Sequence, residues 1–206
     1  ASLDRARASL DSLSGKVRPE AMQQANLHRY EQYLNAELAI EGKSFPEVKA
    51  FHVLAADGSL LYTSSVDDPW RFNMAEAPRF RRLREDPRLE IAYSGLMKHG
   101  ADEVASFMVL LPLRAGNGVF LGALAAQIDL AYFERLLSSL DVGTRGFLAI
   151  WRSDDFSLVL RRPPLPNDMA RTLPADHPVR SAIASGLRDG VVKSSAYSDG
   201  LPRILG

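Results

Sequence analysis

The 206-residue chain contains no cysteine. That excludes disulfides, thiolate metal sites and a cysteine nucleophile, and it leaves the compartment open, because a domain of this size needs no disulfide. It also lacks an excess of either charge: Lys plus Arg and Asp plus Glu both total 25, for a formal net charge of zero. Such a balance gives no basic stripe for nucleic acid. No apolar run approaches the ~20 residues a membrane-spanning helix needs, and no signal peptide is visible. The 4 histidines, His28, His52, His99 and His177, are scattered with no H-E-x-x-H or paired spacing. No glycine-rich loop ends in Lys-Ser/Thr, and no G-x-S-x-G elbow occurs. Asp67-Asp68 and Asp154-Asp155 are adjacent pairs, whereas a Ca²⁺ loop alternates its ligands over a longer stretch. No catalytic residue, metal site or cofactor is therefore expected.

What the chain does have is 46% hydrophobic and 24% charged residues, the balance of a folded globular protein. Near the start, Leu3, Ala6, Leu10, Leu13 and Val17 recur at spacings of three and four. Two readings of this stripe stand: a helix packed on its own domain, and the seam of a dimer stalk. Ser14-Gly15 and Pro19 interrupt it, and a second helix is predicted from Glu20 to Glu41 with Gly42 as its stop. At Lys49 the period changes to that of strands. Residues 50–54 and 59–63 flank Asp57-Gly58, which supplies the positive φ a tight turn requires. Residues 65–75 are irregular, and a short helix over Glu76–Glu85 ends before Pro87. Strands are predicted at Glu90–Met97, Val104–Arg114 and Gly118–Ile128, the last two joined by Ala115-Gly116-Asn117. Together these make a five-stranded antiparallel sheet with helices packed on it.

Asp129 then opens a helix with Leu130, Phe133, Leu136, Leu137 and Leu140 on one face, and Asp141–Gly146 is rich in turn residues. Beyond it, Phe147–Trp151, Ser153-Asp154-Asp155 and Phe156–Arg161 repeat the strand-turn-strand of residues 50–63. A proline-rich crossing, a helix at Pro178–Leu187, a strand at Gly190–Tyr197, a Ser198-Asp199-Gly200 turn and a last strand near Pro202 follow. The expected fold class is α+β: a long N-terminal helix region (1–45), then two PAS-like modules (46–142 and 143–206) with antiparallel sheets. The second module lacks a long closing strand. Both ends read as cut from a longer chain.

The order of these motifs resembles a double Cache domain, the tandem PAS-like extracytoplasmic sensor of bacterial diguanylate cyclases, histidine kinases and chemoreceptors. The likeness rests on Ala56-Asp57-Gly58, Gly118 to Phe133, Leu140 to Ile150, Leu160 to Pro163, Ser198-Asp199-Gly200 and Arg203-Ile204, and it spans nearly the whole chain. Asp129-Leu130-Ala131-Tyr132-Phe133 most resembles members fused to GGDEF or EAL output modules. The resemblance implies a periplasmic, membrane-anchored receptor fragment. Its membrane-distal module would bind a small molecule, its N-terminal helix would form a homodimer, and its membrane contact would come only through flanking spans. Any enzymatic activity would lie in a separate output domain. A histidine-kinase or chemoreceptor sensor and a ligand-free dimerisation module are the alternatives.

Members that bind amino acids place an Asp at the end of the last long strand, where Asp129 falls. Asp129 is thus either an N-cap or an acceptor for a ligand ammonium, and the two roles are compatible. Their central helix carries Asp-Arg-x-Tyr-Phe, against Glu76-Ala77-Pro78-Arg79-Phe80 here. Phe80 fits the second aromatic, the Arg is displaced, and the first aromatic is absent. Arg79 either pairs with a ligand carboxylate or faces solvent. Trp70 is a pocket lid or an anchor for its loop. Tyr93 and Ser106 lie on strands that would line the pocket, while Phe107 and Met108 read as core.

Overall fold

The computed structural model describes residues 2–65, 72–99, 104–165, 171–187, 189–195 and 202–205. The chain divides into two compact units, Ala1–Tyr132 and Phe133–Gly206.

The first unit is built on one antiparallel sheet. Its strands are β1 (Val48–Ala55), β2 (Leu60–Thr63), β3 (Ala92–Tyr93), β4 (Met97–His99), β5 (Val104–Arg114) and β6 (Phe120–Asp129), in the order β2-β1-β6-β5-β3 with β4 also on β5. Six strands thus fill five lanes. The single strand expected over Glu90–Met97 is broken in two, and Ser94 is the reason. Its N–H donates to the Met108 carbonyl and its hydroxyl accepts the Met108 N–H, both at 2.8 Å, so a side chain stands in for the main-chain ladder partner. The register slips by one residue between Tyr93↔Val109 and Met97↔Ser106.

Because side chains alternate along a strand, the two sheet faces can be assigned from the register. One face carries Leu54, Ala125, Leu110 and Ala92, in contact with Phe80 and Leu83 of α3 (Pro78–Glu85). The opposite face carries Phe51, Ala126 and Val109. Helix α1 (Ser2–Ser14) packs on β5 and β6, and α2 (Leu27–Gly42) on β1 and β2. The N-terminal stripe is buried within its own unit: Ala6, Leu10 and Leu13 are at most 1% exposed and Val17 is buried too. The helix expected from Glu20 begins instead as two 3-10 turns, Pro19–Met22 and Gln24–Asn26. There the Ala21 carbonyl accepts the buried Tyr62 hydroxyl at 2.7 Å, fixing the chain before α2 starts.

Helix α4 (Leu130–Ser138) crosses from one unit into the next. The second unit holds the hairpin β7 (Leu148–Trp151) and β8 (Leu158–Arg162), helix α5 (Pro178–Ala184, shorter than the predicted 178–187) and the hairpin β9 (Val192–Ser195) and β10 (Pro202–Leu205). Its first hairpin repeats hydrogen bonds of the first unit. Asp57 Oδ1 accepts the Ser59 N–H at 2.9 Å and hydroxyl at 2.6 Å; Asp155 Oδ1 accepts the Ser157 N–H at 2.9 Å and hydroxyl at 2.7 Å. Ser59 bridges to Asn73 and Ser157 to Thr172, and each crossing leads to a helix opened by proline, at Pro78 and Pro178. The left-handed position is Gly58 (φ 79) in one turn and Phe156 (φ 59) in the other. The Ser198-Asp199-Gly200 turn and Asp67-Asp68 lie outside the described residues.

Candidate functional site

The α3 face of the first unit is roofed by a helix that the sheet itself holds in place. Pro78 starts α3 with its φ already helical and no N–H to satisfy. Phe80 and Leu83 point into the sheet and are fully buried, with Phe80 edge-on to Phe120 at 5.8 Å. At the other end Arg114 of β5 donates to the carbonyls of Leu83 (2.8 Å) and Asp86 (3.2 Å), the latter shared with the Leu89 N–H, and lies 5.3 Å from the Phe120 ring centre.

On the same sheet face a diagonal line of polar side chains crosses three strands. His52 of β1 meets Gln127 Oε1 of β6 through Nε2 at 3.3 Å, and Gln127 Nε2 donates to the Ser106 hydroxyl of β5 at 3.0 Å. All three are buried. Burial pushes the His52 imidazole down to about 4, against a weaker opposing effect of the Gln127 hydrogen bond, so the ring is neutral at physiological pH. Phe72 stands edge-on to it at 5.2 Å. At the far end of the line Asp129 is the cross-strand partner of Ser106. Its Oδ1 accepts the Ala131 N–H at 2.9 Å, the capping bond for α4, and among the described residues no hydrogen bond is made to Oδ2. The Asp129 N–H in turn donates to the Glu47 carbonyl at 2.9 Å. Glu47 is buried, its carboxylate 3.7 Å from Arg5 of α1.

The expected site residues separate accordingly. Ser106 and Asp129 are brought side by side. Phe80 is packed in the core between α3 and the sheet, and Arg79, next to it, is half-buried. Tyr93 pairs with Val109, so its side chain leaves the sheet on the side opposite Ser106 and Met108. Trp70 lies outside the described residues. Phe107 and Met108 are buried, as a core reading requires. His52 and Gln127 were not among the expected residues. The available signal for His52 was a polar side chain inside the apolar run Ala50–Ala55; Gln127 gave none, because only strand register joins it to its partners. Among the described residues no cluster of three or more His, Asp or Glu has the geometry of a metal site, and no helix is long and apolar enough to cross a membrane.

No protein-family model matches the sequence, and no curated protein matches it. Solved structures do match its fold. The extracellular domain assigned to a histidine kinase, rpHK1S-Z16, superposes with TM-score 0.68 at 20% identity, covering 98% of this chain and 88% of that one. The periplasmic sensory domain of the Campylobacter jejuni chemoreceptor Tlp1 gives TM-score 0.63 at 12% identity, over 96% of this chain and 79% of that one. The ligand-binding domain of the Pseudomonas aeruginosa amino acid chemoreceptor PctB, in complex with L-Arg, gives 0.62 at 16% identity, over 98% and 78%. The fold is that of extracytoplasmic sensor domains, found on kinases and chemoreceptors alike.

Proposed function

We propose that this chain is the sensor region of a membrane-anchored bacterial signalling receptor, outside the cytoplasmic membrane, and that it binds a small molecule on the α3 face of its first unit. The observation that carries this reading is the line His52–Gln127–Ser106, with Asp129 at its end, on the sheet face against which α3 packs. A small-molecule site sets a few converging polar groups in apolar surroundings. The fold is shared with domains that bind small molecules, among them the PctB domain in complex with L-Arg, although a fold by itself names no ligand. Asp129 Oδ2 accepts a donor from the ligand, an ammonium above all, while Oδ1 keeps capping α4.

Two PAS-like modules after a helical region, 46–142 and 143–206, complete the reading; the recurring Asp-x-Ser turn and proline-opened helix support it. Ligand binding shifts the population between two arrangements of the helices leading towards the membrane. The output lies in a domain outside this chain, and Asp129–Phe133 favours cyclic-di-GMP turnover over a kinase or chemotaxis output. Since Ala6, Leu10 and Leu13 of α1 are buried on the sheet, the homodimer uses the outer side of that helix.

Thermal shift across amino acids, carboxylates, amines and purines tests the site. An amine that raises the midpoint, and loses that effect in Asp129→Asn, supports the assignment; a hit indifferent to Asp129→Asn removes Asp129 from it. A ligand-free dimerisation module is the second reading, favoured by Phe80 being wholly packed into the core. Silence across the whole panel decides for it.

A further inference from the structure

In the polar line on the α3 face one ring atom is left over. With the Gln127 amide oriented as found, Oε1 is an acceptor, so His52 Nε2 carries the proton and Nδ1 presents a lone pair. That Nδ1 is buried without a hydrogen-bond partner, on a side chain 3% exposed. A buried acceptor with no donor carries a desolvation cost, which makes it a rare feature of folded chains. Among the described residues the neighbours on the face do not relieve it: Ala125 lies across from His52 on β6, Leu54 follows on β1, and Phe72 faces it with its ring. The imidazole is neutral, so it offers no positive charge to a carboxylate.

We propose that His52 Nδ1 is a ligand contact, and that it accepts the N–H or O–H of an uncharged aromatic or heteroaromatic group lodged against Phe72, Leu54 and Ala125. This rests on the α3 face being the ligand site, and it adds the chemistry of the ligand: a donor on an apolar ring, at the end of the face away from Asp129. Ala125, level with His52, and Asp129 are four positions apart on β6, roughly 13 Å at the rise of a strand. A compound the size of indole therefore engages one end or the other. Both ends are acceptors, which sets the site against anionic ligands and in favour of hydrogen-bond donors.

The test uses matched probes on the full chain: indole against 1-methylindole and phenol against anisole, measured by calorimetry. Each parent compound should bind about five- to tenfold more tightly than its methylated partner, the worth of one neutral hydrogen bond. His52→Leu should abolish the difference, leaving both members of a pair equal. Should that variant unfold, the ¹⁵N resonances of wild-type His52 decide: indole must move Nδ1 and leave Nε2 in place. Equal binding of parent and methylated probes, binding of neither, or a preference that survives His52→Leu overturns the proposal. If amines still bind through Asp129 while both pairs fail, the inference falls alone. If nothing binds at either end, the site reading falls with it.

Discussion

At the residue scale, His52 ties the stability of the first unit to pH. Its folded value is lowered to about 4 from 6.5, so between those values the unfolded chain binds more protons than the folded one. Stability is therefore full above about pH 6.5, declines as pH falls towards 4 and levels off below, by up to about 3 kcal/mol for a shift of this size. Urea melts between pH 7 and 4 should show the decline, and His52→Gln should flatten it; a variant as steep as wild type would place the titration elsewhere. Asp129 carries two separable roles. Asn caps a helix as well as Asp does, so Asp129→Asn should leave stability within about 0.5 kcal/mol, whereas Asp129→Ala should cost about 1 kcal/mol. If both variants lose amine binding and only the alanine loses stability, cap and ligand contact have been resolved.

The elements show how the roof of the site is fastened. Arg114 holds two end carbonyls of α3 from the neighbouring strand, so Arg114→Ala should cost about 1–2 kcal/mol, and amide exchange over Phe80–Glu85 should accelerate. Unchanged exchange there would show that Phe80 and Leu83 hold the helix unaided. The β1–β2 turn is equally constrained. A Cβ on Gly58 would lie 2.3 Å from the Ala75 nitrogen, at a φ of +79, so Gly58→Ala should cost about 2–4 kcal/mol through strain and displacement of the crossing before α3. The second hairpin places Phe156 at the equivalent position, φ 59. Its ring lies 4.5 Å from the Arg180 guanidinium, a contact glycine could not make.

At the scale of the whole molecule, the largest fully buried side chains, from Leu10 to Leu124, all belong to the first unit. The second unit buries Leu158, Leu160 and Leu173 among small two-stranded sheets. A fragment of residues 1–138 should accordingly fold alone, with a sigmoidal melt and the pH dependence of His52, while 139–206 alone should melt without cooperativity. A cooperative melt from the smaller fragment would contradict this distribution of the core. Any ligand of the α3 face should stabilise the larger fragment as much as the full chain, about 2.7 kcal/mol at a concentration ~100 times Kd.

Much of this was already fixed by local pattern. The alternating runs, Asp57-Gly58 and Asp129 ahead of Leu130 each act within a few residues, so most strands, the turn and the cap were legible from composition and spacing, while the short helix expected from Glu76 starts at Pro78. Where local rules met a side chain acting at a distance, the pattern misled: Ser94 splits an edge strand by bonding Met108, and the contact of Tyr62 with Ala21 delays α2. The choice between stalk and core for the α1 stripe also lay outside the sequence, since a spacing of three and four describes both until a sheet is there to receive it. The site is the extreme case. His52, Ser106 and Gln127 sit on three strands and meet only because the register sets them on one diagonal, and the same register turns Tyr93 to the other face. A slip of one residue would reverse every one of those orientations, and the packing of the two buried faces, together with the turn geometry, decides against it.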